Sequence, residues 1–374
     1  MRAFGISRAV VWVFALVAIR LVPFNRFQAE RHDVPSLTGP LGRALGALAR
    51  WDATWYLSIA QSGYGGGSRA GTAFFPLYPL TVRAGALGLD SGWALLLSAY
   101  AVSAAALLAA LVLLHRLVEL ELGLRFARPV LLLVALWPAS FFFSAPYSES
   151  LFLALSVGSF YAARTERWPT AVGLCAAATA TRASGLLLLV PLGWMAWRAG
   201  RLRWLALAPA GAAAFCAWLA AVGLRPLGWL DVERDWGHVY KGPWGGVRDA
   251  ALAGARGGRD LLGWAPVDRV VAAENVLYLL LLALALVALV GVFRRLPIAY
   301  GLYAGASLLV AVSAPVHWQP LMSFGRLLAV VFPIPMWVAL ALGGRRLATG
   351  AVLAASAALL AVGTGLFATW HLVT

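Results

Sequence analysis

The sequence predicts an all-α protein folded as a polytopic bundle of transmembrane helices. Of its 374 residues, 62% are hydrophobic and only 12% are charged. The mean hydropathy is +0.81, and long apolar runs recur from one end of the chain to the other. Soluble globular domains carry about a quarter charged residues. We therefore exclude a single soluble domain and expect residues 1–374 to form one integral membrane domain.

Apolar runs divide the chain into about eleven predicted spans. Crossing the roughly 30 Å hydrocarbon core of a bilayer takes about 20 mainly apolar residues, and several runs are shorter than this, so tilted or broken helices are expected. The first run is read as a retained helix rather than a cleaved signal, because no small-residue cleavage site follows it. The predicted spans are 8–24, 93–114, 129–146, 149–163, 168–182, 184–197, 204–224, 274–293, 297–313, 326–343 and 347–370, with a short or re-entrant segment at 73–89.

Arginines in the short loops set the predicted orientation. Most of them fall on one side of the membrane, which the positive-inside rule assigns to the cytoplasm. The same clustering accounts for the net charge of +15 and argues against nucleic acid as a partner. The N-terminus is then cytoplasmic, and the two long loops, 25–92 and 225–273, are extracytoplasmic. The arginines counted are Arg2, Arg8, Arg116, Arg125, Arg128, Arg164, Arg167, Arg198, Arg201, Arg203, Arg294, Arg295, Arg345 and Arg346.

Polar residues from five separate parts of the chain converge on the outer face in this topology. A charged group at the centre of a transmembrane helix costs about 2.5–3.5 kcal/mol on insertion scales. Charges near helix ends therefore usually face water, a partner or a site, and their convergence predicts one external cavity. These residues are Asp52, Glu149, Arg182, His317, Gln319 and Arg326.

The stretch "RWDATWYLSIAQSGY", residues 50–64, offers the clearest chemistry. Apolar residues recur at spacings of three and four, which predicts an amphipathic helix over 41–59. Asp52, flanked by Trp51, Trp55 and Tyr56, would be a partly desolvated carboxylate suited to general-base catalysis, and Arg50 could bind an anion. The alternative, an interfacial Arg50–Asp52 ion pair within an aromatic belt, stays open.

Two proline-containing motifs supply further candidates. In "AFFPLYPL", Phe74, Phe75 and Tyr78 are candidate sugar or lipid contacts, although a simple membrane re-entry explains the motif equally. In "PYSES", Ser148 and Glu149 begin a helix, where a cap and a dipole-stabilised carboxylate are as plausible as a functional role.

The cationic candidates are Arg182 and Arg326. Arg182, in "TRASG", is expected to face the cavity, with a phosphate or Glu149 as its partner. Arg326 follows His317 and Gln319 and stands at a helix start, where a guanidinium and the helix N-terminus can both hold a phosphate. His317 has no second His or Cys at metal spacing, so no metal site is expected.

The second loop carries "LDVERDWGHVYKGPWGG", in which acidic residues and a histidine stand among aromatics. We interpret this stretch as a solvated loop or a cap, with a binding flap as the alternative. Its titratable residues of interest are Asp231, Glu233, Asp235 and His238.

The motifs "RWDATWYLSIAQSGY", "AFFPLYPL", "WPASFFFSAPYSESLF", "TRASG" and the late "HWQ…GR" resemble, in that order, the glycosylphosphatidylinositol mannosyltransferase II family, which is PIG-V-like. The resemblance covers most of the chain. The Ala- and Arg-rich composition, with Lys241 as the single lysine, favours a bacterial member.

The resemblance implies a GT-C-like glycosyltransferase whose first external loop carries the catalytic acid, here Asp52. It implies a polyprenyl-phosphate mannose donor, an unidentified glycan, lipid or protein acceptor, and no cofactor beyond that lipid-linked substrate. The expected substrate contacts are Arg50, Trp51, Trp55, Tyr56, Tyr64, Phe75, Tyr78, Ser148, Glu149, Arg182, His317, Gln319 and Arg326.

A metal-bridged mechanism is not expected, because Asp52 is the one acid in its motif and Glu30 and Asp33 upstream are weak substitutes. A transporter or flippase for a lipid-linked or amphiphilic solute is the rival class. Such proteins commonly show internal repeats and mid-membrane sites, and we detect no repeat. A catalytically silent donor-binding protein is a third possibility.

Overall fold

The computed structural model describes residues 1–25, 39–64, 69–263 and 268–371. Within these ranges the chain is helical, and the β contact is an isolated antiparallel bridge between His238 and Val316. Glu30 and Asp33 lie outside the described residues. The all-α prediction is therefore confirmed for the part of the chain that the structure describes.

The helices follow one another with short connections. The α-helices, numbered in chain order, are α1 (Arg2–Leu21), α2 (Gly39–Leu45), α3 (Ala53–Ser62), α4 (Leu77–Gly85), α5 (Gly92–Leu122), α6 (Leu124–Ala135), α7 (Glu149–Arg164), α8 (Trp168–Thr179), α9 (Leu189–Arg198), α10 (Ala210–Ala221), α11 (Gly228–Asp235), α12 (Gly242–Leu262), α13 (Arg269–Arg295), α14 (Ile298–Ser313), α15 (Phe324–Ala329), α16 (Pro333–Leu342) and α17 (Arg346–Ala368). Short 3₁₀ helices occupy Gly46–Leu48, Arg69–Ala73, Ser140–Phe143, Ala183–Leu188 and Leu202–Leu207.

Among the described residues, five helical stretches are long and apolar enough to cross a membrane. They are Arg2–Leu21, Gly92–Leu122, Leu202–Ala221, Arg269–Arg295 and Arg346–Ala368. The protein is therefore a multi-pass membrane protein, whereas the predicted count of about eleven spans is not confirmed. Several predicted spans are shorter helices, among them Ile298–Ser313 and Pro333–Leu342.

The predicted span 129–146 shows why hydropathy overcounts. Its helix, α6, ends at Ala135, and the chain then runs through an irregular segment, 136–148, that contains the Ser140–Phe143 turn. Pro138 and Pro146 lie in this segment, where each removes a backbone donor and opposes a regular helix. The residues are as apolar as a span, yet they form a buried loop that leads to the first residue of α7.

Arg8 stabilises this irregular segment from α1. Its guanidinium is buried and donates to the carbonyl oxygen of Ser140 at 2.8 Å, the hydroxyl of Ser144 at 2.7 Å and the carbonyl oxygen of Ala135 at 3.0 Å. Arg8 lies within α1 and faces this segment, where non-helical carbonyl oxygens buried among apolar residues need donors, which Arg8 supplies.

The single amphipathic helix predicted over 41–59 is also wrong. The segment instead consists of α2, a 3₁₀ turn and α3, with a break at residues 49–52. Trp51 adopts a positive φ of 53° at this break, a conformation that costs a bulky residue energy and ends a regular helix. Asp52 consequently sits at the N-cap of α3 instead of on the side of a longer helix.

The second loop packs on the first. Asp231 of α11 lies 3.3 Å from Arg69, which begins the Arg69–Ala73 turn, and Trp236 packs edge-on against Phe74 with ring centroids 5.8 Å apart. Asp231 is only 14% exposed. Of the two forms that the sequence analysis favoured, a solvated loop or a cap, the segment therefore takes the second and caps the first loop.

Candidate active site

Asp52 and Arg326 form the centre of a charged cluster. The Nη1 of Arg326 donates to the Oδ2 of Asp52 at 2.6 Å, although the two residues stand on α3 and α15. The Asp52 side chain is 32% exposed and that of Arg326 is 19% exposed. The Oδ1 of Asp52 accepts no hydrogen bond from the residues that the structure describes. Asp52 thus binds Arg326 through Oδ2, and Oδ1 can accept a hydrogen bond or a proton from another group.

Glu149 and Arg182 extend this cluster inward. The Oε1 of Glu149, the first residue of α7, lies 3.3 Å from the Nε of Arg326 and accepts a hydrogen bond from the Nη1 of Arg182. The Glu149 side chain is 1% exposed. Charges therefore alternate in the order Asp52, Arg326, Glu149, Arg182, so the buried carboxylate is compensated on two sides, as a buried charge requires. We call these four residues the charged cluster.

Tyr147 fixes the backbone beneath Asp52. Its hydroxyl accepts from the backbone N–H of Asp52 at 3.1 Å and donates to the carbonyl oxygen of Arg50 at 3.0 Å. The hydroxyl thus satisfies backbone groups at the break before α3, where helix N-termini leave N–H groups without partners. Tyr147 couples the irregular segment 136–148 to the position of the Asp52 carboxylate.

Tyr56 and Ser148 form a second link between α3 and the start of α7. Their hydroxyl oxygens are 2.8 Å apart, and both side chains are buried. Burial and the nearby charge of Glu149 raise the pKa of Tyr56, so its hydroxyl stays protonated and remains available as a donor. The pair holds α3 in a fixed position against Glu149.

Aromatic rings and one backbone contact position Arg326. Its guanidinium carbon lies 5.4 Å from the ring centroid of Phe142 and 5.8 Å from that of Tyr147, within the range of cation–π attraction. The indole N–H of Trp137 donates to the carbonyl oxygen of Gly325 at 2.9 Å. The irregular segment that Arg8 stabilises therefore also anchors α15.

Glu233 and His238 form a pair in the segment that caps the first loop. The Nε2 of His238 is 3.5 Å from the Oε2 of Glu233. Burial raises the pKa of Glu233, while the charges of His238 and Arg326 act to lower it.

Arg50 points away from the cluster. Its Nε donates to the carbonyl oxygen of Ala368 at 3.2 Å, and its guanidinium lies 4.9 Å from the ring centroid of Trp370. The sequence left open an ion pair between Arg50 and Asp52. This pair does not form, because Asp52 binds Arg326 instead. The left-handed backbone of Trp51 directs the flanking side chains apart, and Trp51 itself packs edge-on against Trp370.

The structure brings six of the predicted site residues together, namely Asp52, Tyr56, Ser148, Glu149, Arg182 and Arg326. Trp55 stacks on Phe74 with ring centroids 5.8 Å apart, beside this group.

The remaining predicted contacts do not join the charged cluster, although Tyr78 packs edge-on against Tyr56 with ring centroids 5.1 Å apart, and their substrate roles stay predictions. Tyr64 donates its hydroxyl to the carbonyl oxygen of Phe74. Phe75 is buried against Phe215, and the hydroxyl of the buried Tyr78 lies 2.8 Å from that of Ser103. Gln319 is buried and donates to the Oε2 of Glu274 at 2.7 Å, whereas His317 is exposed.

Sequence reasoning did not select Tyr147, Phe142 or Trp137, although all three lie in the quoted motif "WPASFFFSAPYSESLF". The available signal was the density of aromatic residues between and beside two prolines, Pro138 and Pro146, since prolines oppose a regular helix. Among the described residues, no group of three or more His, Cys, Asp or Glu side chains is arranged to hold a metal ion.

This arrangement supports acid–base chemistry next to an anion-binding group. A carboxylate with a free, partly exposed oxygen can accept a proton. Guanidinium groups fixed by carboxylates and rings can stabilise charge that develops on a phosphate oxygen, because they are already oriented.

Comparisons with known proteins support this interpretation. The sequence profile of the mannosyltransferase (PIG-V) family matches residues 10–199, which contain Asp52, Glu149 and Arg182. The chain is 31% identical over 190 residues to GPI mannosyltransferase 2 of Yarrowia lipolytica, covering 49% of this chain and 50% of that protein. It is 38% identical over 152 residues to GPI alpha-1,6-mannosyltransferase 2 of Cricetulus griseus, covering 38% of this chain and 30% of that protein.

The chain thus spans half or less of the length of these curated relatives. No solved structure matches the chain.

Proposed function

Because the chain belongs to the PIG-V mannosyltransferase family, we propose that it is an inverting glycosyltransferase that moves a hexose, in our proposal mannose, from a polyprenyl-phosphate donor to an acceptor hydroxyl. The curated relatives carry mannosyltransferase names, which supports the sugar. The polyprenyl-phosphate donor, the acceptor hydroxyl and the reaction at the outer face of the membrane are parts of this proposal. The acceptor is a glycan, a lipid or a protein.

One observation carries this proposal: Asp52 is a partly exposed carboxylate that is held by a guanidinium on Oδ2 and accepts no hydrogen bond on Oδ1 from the residues that the structure describes. In the proposed step, the Oδ1 of Asp52 removes the proton of the acceptor hydroxyl, and that oxygen attacks the anomeric carbon. The bond from this carbon to the phosphate oxygen breaks on the opposite face, which inverts the configuration. General-base assistance of this kind contributes about 10²- to 10⁴-fold in rate.

Arg326 and Arg182 would stabilise the departing lipid phosphate. Both guanidinium groups are already oriented by carboxylates, Arg326 by Asp52 and Glu149, and Arg182 by Glu149. Their orientation does not have to be built during the reaction, which is the condition under which electrostatic stabilisation is most effective. The lipid-linked sugar is the substrate, and the proposed step uses no further cofactor.

The proposed location of this chemistry is the extracytoplasmic end of the bundle. The first loop, 25–92, would carry the base, and the second loop, 225–273, would cover it. The packing of α11 and Trp236 on the Arg69–Phe74 segment supports this division of roles.

The test uses the purified protein in liposomes with radiolabelled polyprenyl-phosphate mannose and a membrane or cell-wall extract as the acceptor source. Transfer of label into the extract, with loss of label from the donor, supports the proposal. Movement of intact donor across the bilayer without transfer would instead establish the flippase alternative. Protein-free liposomes control for spontaneous movement.

A further inference from the structure

A buried carboxylate on α13 holds the segment that leads to Arg326. The Oε2 of Glu274 accepts a hydrogen bond from the Nε2 of Gln319 at 2.7 Å, and the hydroxyl of Tyr278 donates to its Oε1 at 3.4 Å. The side chains of Glu274, Gln319 and Tyr278 are all buried. A buried carboxylate needs such donors, and Gln319 supplies one from a distant part of the chain, a few residues before Arg326.

The backbone between Gln319 and Arg326 is compact and strained. It begins in a tight turn, in which the N–H of Met322 donates to the carbonyl oxygen of Gln319 at 2.9 Å. Ser323 follows with a positive φ of 62°, in the left-handed region that a residue with a Cβ keeps only where the surrounding structure fixes it. A displacement of Gln319 is therefore expected to displace the residues that lead into α15.

Tyr278 holds the same segment directly beside Arg326. A Cβ built on Gly325 would lie 3.3 Å from the Cε1 of Tyr278, so the ring leaves room for little more than the backbone. On its other side, the carbonyl oxygen of Gly325 accepts a hydrogen bond from the indole N–H of Trp137 at 2.9 Å. The residue before Arg326 is therefore held between α13 and the irregular segment 136–148.

The guanidinium of Arg326 has to meet two carboxylates at once. Its Nη1 donates to the Oδ2 of Asp52 at 2.6 Å, while its Nε lies 3.3 Å from the Oε1 of Glu149. A planar, rigid group meets both partners only over a narrow range of positions. The contacts that Glu274 and Tyr278 make with residues 319–325 fix the backbone from which this guanidinium extends.

We propose that Glu274, acting through Gln319, is a positioning residue that fixes Arg326 for the departing lipid phosphate, an assignment that rests on the proposed glycosyl transfer. In that step the acceptor hydroxyl gives its proton to Asp52, and its oxygen bonds to the anomeric carbon. The electron pair of the broken carbon–oxygen bond stays on the phosphate, which gains negative charge. A correctly placed Arg326 therefore stabilises the transition state more than the bound donor, and Gln319 contributes without contacting the substrate.

The test measures transfer from polyprenyl-phosphate mannose by variants of this contact. Gln319→Leu removes the donor to Glu274 with little change in side-chain size, and Gln319→Glu brings two carboxyl groups together. The double variant Glu274→Gln/Gln319→Glu exchanges donor and acceptor, so that an amide at position 274 donates to a carboxylate at position 319 and still accepts from Tyr278. Thermal unfolding in detergent identifies a temperature at which the variants are folded, and the kinetics are measured there.

Glu121→Gln is the matched control. Glu121 is also a buried carboxylate, and it accepts a hydrogen bond from the hydroxyl of Tyr300 at 2.9 Å. It binds Arg164, the last residue of α7, whereas Glu149 of the charged cluster is the first. The 16 residues of α7 span about 24 Å, so this variant removes a buried charge far from Arg326.

Gln319→Leu should lower kcat by about 10²-fold, the loss that a misplacement of about 1 Å can cause. The donor KM should change little, because the lost interaction is made mainly in the transition state. The double variant should recover most of the rate that Gln319→Glu loses. Glu121→Gln should lower the unfolding temperature and leave kcat unchanged.

Repeating Gln319→Leu in an Arg326→Lys background tests whether the effect passes through the guanidinium. If it does, Gln319→Leu should slow transfer much less in that background than in the wild type, because the two changes are coupled. A wild-type kcat for Gln319→Leu, or equal losses in the two backgrounds, would overturn the positioning role and leave the proposed transfer standing. A wild type that transfers no mannose would overturn both.

Discussion

The Oδ2 of Asp52 accepts a hydrogen bond from the Nη1 of Arg326 at 2.6 Å, although 274 positions separate the two residues in the chain. Arg326 in turn approaches Glu149, which binds Arg182. Four separate segments of the chain are thus joined by charge at one point of the bundle. The cluster therefore links the stability of the bundle to the proposed chemistry of Asp52.

Replacing Arg326 should affect stability and transfer together. Arg326→Gln leaves Asp52 without its cation and Glu149 with Arg182 alone, and breaking a buried ion pair on one side costs about 3–5 kcal/mol. Arg326→Lys keeps the charge but loses the planar guanidinium that reaches both carboxylates, so an intermediate effect is expected. Thermal unfolding in detergent and the initial transfer rate are the measurements. Equal unfolding temperatures for the three proteins would contradict this prediction.

Glu149 and Arg182 should show direct energetic coupling. A hydrogen bond to a charged group contributes about 1.5–3 kcal/mol, and Glu149 is almost fully buried. The free energies of unfolding of Glu149→Gln, Arg182→Gln and the double variant form a double-mutant cycle. The double variant should be less destabilised than the sum of the single variants. Strict additivity would show that the pair does not form.

Arg8 should be essential to the irregular segment 136–148. Arg8→Leu removes a donor from the carbonyl oxygen of Ser140 and one of the two donors to that of Ala135, and a buried polar group left without a partner costs about 1–3 kcal/mol. Arg2→Leu, at an exposed position of the same helix, is the matched control. The thermal unfolding midpoint should fall markedly for Arg8→Leu alone, and a similar fall in both variants would contradict this explanation.

The orientation of the cluster can be measured by cysteine labelling. Ser62 and Trp318 are exposed positions near the Asp52 helix and the Arg326 segment. Each is changed to Cys in a background without Cys175 and Cys216, and a membrane-impermeant thiol reagent is added to intact cells. Both positions should react from outside, as the positive-inside rule predicts. Labelling of either position only after lysis would contradict the single external cavity.

The sequence predicted the helical class and four members of the charged cluster, because charged residues in an apolar chain are costly and therefore informative. It offered Glu149 as one of two partners of Arg182, a pair that forms, but it did not predict the pairing of Asp52 with Arg326. Arg50 stands two positions from Asp52, yet the positive φ of Trp51 separates the two side chains, and Arg326 binds Asp52 instead. Such a backbone conformation has no signature in hydropathy or helical periodicity.

Other differences between the prediction and the structure also come from contacts that hydropathy and helical periodicity do not reveal. Residues 136–148 are apolar enough to resemble part of a span, but buried donors from Arg8 allow them to remain irregular. Phe75 and Tyr78 are aromatic residues in a loop, which suggested substrate contacts, and both are buried in the protein. The sequence did not identify Glu233 as a site residue, because charged residues in a long loop are usually solvated. In the structure, α11, which carries Glu233, packs on the first loop.

The most direct measurement is the single-turnover rate of mannose transfer for Asp52→Asn, compared with the wild type and with Asp90→Asn. Asp90 is a 61% exposed carboxylate of the same loop that lies 3.7 Å from Arg83, so its variant controls for charge. We expect Asp52→Asn to fold, to bind the donor and to lose about 10²- to 10⁴-fold in rate, with Asp90→Asn unchanged. Wild-type rates for Asp52→Asn would contradict the assignment of Asp52 as the base.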